Sequence, residues 1–162
     1  MAPAATLHHG RMTSVRANVS TTTPEAAAAL AALNTTAHTA ASAAGLSALI
    51  VELVQIRASQ INGCSYCLRV HTRKALAAGE STDRLGVLPA WRESSYFTEA
   101  ERAALDLVES VTLVADGRVA DHVYDAARVV LDEAQVSAVI WLSVAINAYN
   151  RVIIASRLPV GP

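Results

Sequence analysis

The stretch INGCSYCLRVHTRKALAAGE, residues 61–80, places the only two cysteines of the chain, Cys64 and Cys67, just after an Asn-Gly pair. Both residues of that pair tolerate the left-handed backbone that ends helices, so one helix is predicted to stop there. A second helix then begins at or just after Cys64 and runs to Gly79, the next helix-ending glycine. The stretch therefore predicts two helices joined by a tight turn, with a CxxC pair at the start of the second helix.

The composition indicates one all-helical domain. Of the 162 residues, 52% are hydrophobic and 17% are charged, which is too apolar for a disordered chain and sufficient for a buried core. Alanine dominates the apolar residues and aromatic residues make up only 4%, which favours helices over strands. The net charge of -1 gives no electrostatic attraction to nucleic acid or to an anionic membrane surface, so neither is expected as a partner.

Helix-start and helix-stop signals recur along the chain. Thr23 is the predicted N-cap of a helix with Pro24 at its first position. Thr98 and Glu101 have the spacing of a capping box, and that helix is predicted to end at Gly117. The predicted helices span residues 23–43, 46–63, 64–79, 98–117, 120–131 and 132–159, with a short helix and a loop around Pro89 before residue 98.

The last predicted helix starts after its N-cap Asp132 and is apolar nearly all round over residues 136–146. Its uncharged stretch is about the minimum length for a membrane span, but several polar side chains interrupt it, so a span is not favoured. A helix that is apolar all round is otherwise buried, and a chain of this size has a small core. We therefore expect another copy of the chain to cover the second face of this helix.

The first 22 residues are predicted to form a flexible segment before the helical domain, residues 23–162. They contain no apolar run of the kind found in secretory signals, so a cytoplasmic location is expected. Met12 is a second candidate for the natural start of the chain. In a reducing compartment, a lone cysteine pair is more often catalytic or metal-binding than a structural disulfide.

The position of the cysteine pair predicts reactive thiols. Side chains three residues apart on a helix lie on one face, with Cβ atoms about 5–6 Å apart, so a disulfide can form after a small adjustment. Cys64 falls at the N-cap, where backbone N–H groups stabilise a thiolate and solvent is expected to reach the sulfur. Cys67 lies within the first turn, close to His71, and is expected to be the more buried of the two.

A proton relay is predicted behind the thiols. His71 lies one helical turn after Cys67 on the same face, where an imidazole can hold or pass on the thiol proton. Glu52 lies in the middle of the preceding apolar helix, where a carboxylate must find a partner. Antiparallel packing across the tight turn would bring Glu52 beside His71. Tyr66, between the cysteines, is expected to line the site.

Other interpretations of this cluster stay open. The cysteines could be inert core residues, and Glu52 could be a solvated residue on an imperfect apolar face. Cys64, Cys67 and His71 could supply three zinc ligands, but a closed structural site needs a fourth ligand and the chain has no second cysteine pair. A haem attachment motif requires histidine directly after the second cysteine, where Leu68 stands instead. No metal or other cofactor is therefore expected.

The constellation of Glu52, Cys64, Cys67 and His71 resembles that of the alkylhydroperoxidase AhpD-like branch of the carboxymuconolactone decarboxylase superfamily. AhpD itself has histidine before the second cysteine, where this chain has Tyr66. The matching stretch is ELVQIRASQINGCSYCLRVHTRKALAAGES, residues 52–81, and the resemblance continues through residues 88–114 and through the segment AINAYNRVIIASRLPVG at residues 145–161.

The resemblance implies an all-α, AhpD-like domain with several helices packed around the CxxC-bearing helix, assembled as a trimer or hexamer. It implies a thiol-dependent peroxidase or disulfide reductase of antioxidant defence, which takes a hydroperoxide and a thiol reductant of lipoyl or thioredoxin type. Cys64 is then the attacking thiol and Cys67 the resolving and relaying thiol. Glu52 and His71 are the acid–base members. The alternative is a non-redox enzyme of the superfamily that acts on a lactone or carboxylated substrate.

Overall fold

The structure, a computed structural model, describes residues 16–161 as an all-α fold with no strand in that range. The prediction of an all-helical chain is confirmed. The elements are α1 Val19–Thr22, α2 Pro24–Ala43, α3 Ala48–Asn62, α4 Ser65–Ala77, α5 Thr82–Val87, a 3-10 helix Leu88–Glu93, α6 Glu99–Thr112, α7 Asp121–Val130 and α8 Glu133–Ser156.

Helix α8 is the central element of the fold. It packs against α2, α3 and α6, and its core face includes Val139, Leu142 and Ile146. Asp132 and Gln135 cap its start in a reciprocal capping box, which confirms the predicted N-cap. The apolar residues along α8 therefore pack against three other helices.

The opposite face of α8 is exposed in the single chain. Helix α8 is the only helix within residues 16–161 that is long and apolar enough to cross a membrane. Of its most apolar 18-residue segment, 44% is buried inside the chain. Its outer face carries Ser137, Trp141 and Val144, which we call the α8 stripe. Trp141 is 49% exposed and Val144 is 39% exposed. The prediction of an apolar face without a partner inside the chain is confirmed.

Two apolar clusters lie on two faces of α3. The larger joins α3 to α2, α6 and α8, and the smaller joins α3 to α4, α6 and the 3-10 helix around Leu53 and Trp91. Arg57 on α3 donates to Glu109 on α6 at 2.6 Å, and Trp91 Nε1 donates to the same carboxylate at 2.8 Å. Burial raises the pKa of Glu109, but hydrogen bonds from Trp91 and Arg92 outweigh it and hold that pKa below its ordinary value. This ionised carboxylate ties α3, α6 and the 3-10 helix together.

Two element boundaries differ from the prediction. Helix α6 ends at Thr112, and the chain reverses only at Gly117, where φ is 125°. The intervening Leu113 and Val114 are exposed, because the apolar face that holds α6 against the core has ended. Pro89 lies inside the 3-10 helix and not in a loop, since its fixed φ and missing N–H are tolerated in the first turn of a helix.

The predicted flexible segment, residues 1–22, is only partly described. Residues 1–15, which include Met12, lie outside the described residues. The N–H of Val19 donates to Ser156 Oγ at 3.3 Å, and Arg16 donates to the carbonyl of Ala155 at 3.1 Å. The structure therefore places α1 against the end of α8, as part of the helical domain.

The turn between α3 and α4 is a Schellman motif. Gly63 adopts φ 70° and ψ 33°, and its N–H donates to the carbonyl of Gln60 at 3.2 Å. The N–H of Cys64 donates to the carbonyl of Ser59 at 3.0 Å. The chain thus reverses over one left-handed residue, and α4 begins with Cys64 as its N-cap. The predicted stop at Asn62 and Gly63 is confirmed.

Replacing Gly63 with alanine should lower the free energy of unfolding, because a left-handed backbone costs a residue with a side chain about 1 kcal/mol. A Cβ at Gly63 would meet no atom within 4 Å, so the cost is one of backbone conformation and not of a clash. Gly86→Ala is the matched control, since Gly86 lies in α5 with equally open surroundings and no positive φ. That change should stabilise the protein by up to about 1 kcal/mol. Urea denaturation measures both, and an unchanged stability of Gly63→Ala would contradict the role of the turn.

Candidate active site

Both thiols are free and lie at the start of α4. Cys64 is the N-cap, and the backbone N–H of Cys67 donates to the Cys64 Sγ at 3.4 Å. A helix-start N–H group therefore touches the Cys64 sulfur, as the sequence predicted, and such groups stabilise negative charge. The spacing of three residues keeps both side chains on one face of the first turn.

The sequence predicted that solvent reaches the Cys64 sulfur and that Cys67 is the more buried of the two. This prediction is wrong. Cys64 is 1% exposed and Cys67 is 3% exposed, and both belong to the larger apolar cluster. The tight turn at Gly63 folds α4 directly back on α3, so the start of α4 is buried among residues of α3 and α8. Cys67 lines a cavity between α4 and α8, and Cys64 is not among the residues that line it. A small molecule in the cavity therefore meets Cys67 before Cys64.

His71 lies on the same face of α4 as Cys67 and forms a buried acid–base pair with Glu52 on α3. His71 Nδ1 is 2.8 Å from Glu52 Oε2, and both side chains are nearly inaccessible to solvent. In the tautomer that carries its hydrogen at Nδ1, His71 donates to the Glu52 carboxylate and leaves Nε2 as the acceptor nitrogen. The predicted contact between Glu52 and His71 is confirmed. Antiparallel packing of α3 and α4 brings together two residues that are 19 positions apart.

The thiol of Cys67 is protonated in the resting site. Burial, and then its hydrogen bond with Cys64, raises the pKa of the Cys67 thiol to about 12, while a hydrogen bond from Asn150 acts in the opposite direction. The thiolate is the reactive form, so a base must take this proton before Cys67 can attack. His71 lies one turn along α4 and lines the same cavity, so it is positioned to act as that base.

The cavity beside Cys67 has a volume of about 280 Å³. Its walls are mostly apolar and come largely from α4 and α8, and a few polar groups interrupt them, among them Gln55 and Lys74. Tyr66 is 38% exposed and lines the cavity, as the sequence predicted. A space at the lower end of the range for small-molecule sites suits a compact organic molecule with one polar group.

A chain of amides joins the end of α3, just before the thiols, to α8. Asn62 Nδ2 is 2.9 Å from Asn147 Oδ1 and 2.8 Å from Asn150 Oδ1. Asn150 is fully buried, and its Nδ2 donates to Ser59 Oγ at 3.1 Å. In the sequence, residues 145–161 contributed only to the family resemblance, and the hydrogen bonds of their asparagines to α3 were not predicted. The available signal was a pair of asparagines three residues apart in an otherwise apolar helix.

Within residues 16–161, no group of three or more histidine, cysteine or acidic side chains is arranged to hold a metal ion. Cys64, Cys67 and His71 share a helix face but do not form such a group. The geometry of this part of the chain therefore gives no support to the zinc interpretation of the cluster.

Comparison with known proteins identifies the family. The model of the carboxymuconolactone decarboxylase family matches residues 24–110, which is more than half of the chain and includes α3 and α4. The chain belongs to the carboxymuconolactone decarboxylase family. The resemblance noted in the sequence is thereby confirmed.

Relatives of this carboxymuconolactone decarboxylase family member are found among bacterial proteins. The uncharacterized protein YdfG of Bacillus subtilis is 40% identical over 104 residues, which cover 64% of this chain and 71% of YdfG. The uncharacterized protein YnjA of Escherichia coli is 29% identical over 68 residues, which cover 42% of this chain and 37% of YnjA.

A solved structure has the same fold. It is a crystal structure of a protein of unknown function from Agrobacterium tumefaciens, described as a candidate antioxidant defence protein AhpD. It superposes with a TM-score of 0.80 at 31% sequence identity and covers 91% of this chain and 99% of its own. The AhpD-like helical fold predicted from the sequence is confirmed.

Alkylation of Cys67 in the reduced protein should depend steeply on pH. Because burial raises the pKa of this thiol to about 12, the thiolate is the minor form at lower pH. The rate should therefore rise about tenfold per pH unit from neutral pH upward. Iodoacetamide labelling with fragment-ion mass spectrometry distinguishes Cys67 from Cys64. A Cys67 rate that levels off near neutral pH would contradict the burial of this thiol.

Proposed function

We propose that this protein is a thiol-dependent peroxidase and disulfide reductase in which Cys64 and Cys67 cycle between dithiol and disulfide. The observation that carries the proposal is that Cys67 lines a cavity together with His71, whose Nδ1 is held by buried Glu52 at 2.8 Å. A thiol beside an oriented imidazole is the arrangement that nucleophilic thiolate chemistry requires. The similarity to the Agrobacterium protein described as an antioxidant defence protein supports the same class of function.

The first step is attack on a hydroperoxide. His71 Nε2 takes the proton of the Cys67 thiol, and Glu52 stabilises the resulting imidazolium charge. The thiolate attacks the outer peroxide oxygen, the O–O bond breaks, and Cys67 becomes a sulfenic acid. The alkoxide that leaves takes the proton back from His71 and departs as an alcohol. Cys67 is oxidised by two electrons and the peroxide is reduced by two electrons.

The second step forms the disulfide. The Cys64 thiol attacks the sulfenic sulfur of Cys67, the S–S bond forms, and the hydroxyl group leaves as water with the Cys64 proton. Both cysteines lie in the first turn of α4, within the range from which a disulfide can close after a small adjustment. The N–H of Cys67 donates to the Cys64 Sγ at 3.4 Å, so the two thiols are held within one turn of each other for this step.

The third step returns the site to its dithiol form. An external dithiol of lipoyl or thioredoxin type gives two electrons and two protons to the disulfide and is itself oxidised to a disulfide. One turnover thus converts a hydroperoxide and a dithiol into an alcohol, water and a disulfide, with no further cofactor.

We assign the two cysteines the reverse of the roles that the family resemblance implies. Cys64 was expected to attack because solvent would reach it, and its burial removes that reason. Cys67 lines the cavity and has a base one turn away, so we assign the attack to Cys67 and the resolving role to Cys64. The proposed relay of Glu52 and His71 acts on Cys67 directly.

Hydroperoxide consumption tests the proposed function. The reduced protein should consume cumene hydroperoxide, with dithiothreitol, lipoamide and a thioredoxin system compared as reductants. Glu52→Gln keeps the side-chain shape but removes the charge that orients His71, and turnover should fall by at least about tenfold. A rate no higher than that of a variant with both cysteines replaced by serine would overturn the proposal.

Trapping of the sulfenic acid by dimedone separates the roles of the two thiols. Cys67→Ser should abolish both turnover and trapping, because the attacking sulfur is gone. Cys64→Ser should slow turnover yet leave a trappable sulfenic acid on Cys67. Labelling of Cys64 alone would return the attacking role to Cys64.

We also propose that the protein assembles as a homo-oligomer, a trimer or a hexamer, through the α8 stripe. Trp141 and Val144 are large apolar side chains exposed on the central helix of the fold. Aromatic side chains of this kind are enriched in the buried centres of protein interfaces. A second copy of α8 offers a matching apolar surface.

Trp141→Glu should convert the assembly to a monomer of 17.0 kDa, because it places a charge in the centre of an apolar contact. Val129→Glu is the matched control, since Val129 is 85% exposed but lies on α7. Light scattering should give a mass well above that of the monomer for the parent and for Val129→Glu. A parent protein that is monomeric at micromolar concentration would contradict assembly.

A further inference from the structure

His38 on α2 has a buried nitrogen that the proposed mechanism does not use. Its Nε2 has no hydrogen-bond partner among the described residues, although this atom is shielded from solvent. Sequence reasoning gave His38 no role, because no partner pattern surrounds it on α2. A buried polar atom without a partner is unfavourable, so its persistence calls for a physical reason.

His38 lines two neighbouring spaces. One is a cavity of about 210 Å³ that it shares with Glu52, the carboxylate that holds His71. The other is a surface groove of about 640 Å³ that it shares with Thr39 and Lys74. Both spaces are large enough for several water molecules and contain polar groups that water can bind. His38 and Ser42 line both spaces.

Burial lowers the pKa of His38 and favours the neutral imidazole near pH 7. Against burial, a hydrogen bond with Gln55 and the charge of Glu52 raise this pKa, and Lys74 and His71 lower it further. The titratable groups that face it are thus Glu52 from α3 and His71 and Lys74 from α4. A neutral imidazole accepts a proton at one ring nitrogen and donates one at the other.

We propose that His38 is a proton-transfer residue that connects Glu52, through water in the shared cavity, with the solvent groove. The proposal rests on the proposed function and extends its relay by one residue. Protons then pass between Cys67 and the surface through His71, Glu52 and His38 in turn. The buried Nε2 without a protein partner is the atom left free to bind water.

A proton path is needed in the step that reduces the Cys64–Cys67 disulfide back to two thiols. The external dithiol attacks the Cys64–Cys67 disulfide as a thiolate, after losing its protons to solvent. It leaves as a disulfide, having given two electrons to the two cysteine sulfurs. Each sulfur must then regain one proton, and both are buried at 3% exposure or less. Protons lost to solvent therefore have to return to a buried site.

The rate of disulfide reduction tests the proposal without requiring any peroxide. Protein oxidised to the disulfide with diamide is mixed with dithiothreitol, and the appearance of the two cysteine thiols is followed near neutral pH. His38→Ala should slow this reduction about tenfold, within the range of general acid–base effects. Millimolar imidazole should restore at least half of the loss, because it can enter from the open groove. His122→Ala on α7 is the matched control and should react at the parent rate.

His38→Gln guards against a purely structural effect, since its amide keeps polar contacts but cannot transfer protons. It should show the same loss with unchanged helicity and unchanged thermal stability. A parent-like rate in both variants, or a loss in His38→Ala that imidazole does not restore, would overturn the role of His38. Normal His38-dependent reduction in a protein that consumes no hydroperoxide would instead reject the peroxidase function alone.

Discussion

The buried carboxylate of Glu52 constrains the whole arrangement of the site. An acidic side chain on the apolar helix α3 is tolerated only beside a partner, and that partner is His71 on the next helix. Their contact fixes the register of α3 against α4, and the Schellman turn at Gly63 makes the contact geometrically possible. Cys67, one turn before His71, is thereby held at the cavity wall. One residue more in the turn would rotate α4 by about 100° and carry the thiol away from it.

Burial stabilises the site and at the same time suppresses its reactivity. Both cysteines belong to the main apolar cluster, which protects them from unwanted oxidation but raises the pKa of the Cys67 thiol to about 12. The thiol therefore reacts only when a base removes its proton at the moment of attack. This explains why the acid–base pair must be buried beside the sulfur. Under the proposed proton route, His38, which lines a cavity together with Glu52, extends this pair toward solvent.

Helix α8 connects the site to the proposed assembly. Asn150 on one face of the helix accepts a hydrogen bond from Asn62 at the end of α3, and Trp141 lies nine residues earlier on the exposed stripe. Nine residues correspond to about 180° around an α-helix, so the two side chains lie on opposite faces. A partner subunit centred on Trp141 would thus contact the face opposite the amides that join α8 to α3. The apolar character of α8 follows at least from its packing against α2, α3 and α6.

The sequence by itself determined the local features of this protein. Capping residues, the Asn-Gly stop, the CxxC spacing and a lone carboxylate in an apolar helix predicted the helices, the turn and the contact of Glu52 with His71. These signals are carried by residues that are close in the chain, and local backbone preferences suffice to express them. Only the tertiary structure decided which sulfur lines the cavity, how Asn150 joins α8 to α3, and which two spaces His38 lines. These features depend on how α2, α3, α4 and α8 pack, because burial arises between distant segments and leaves no local pattern.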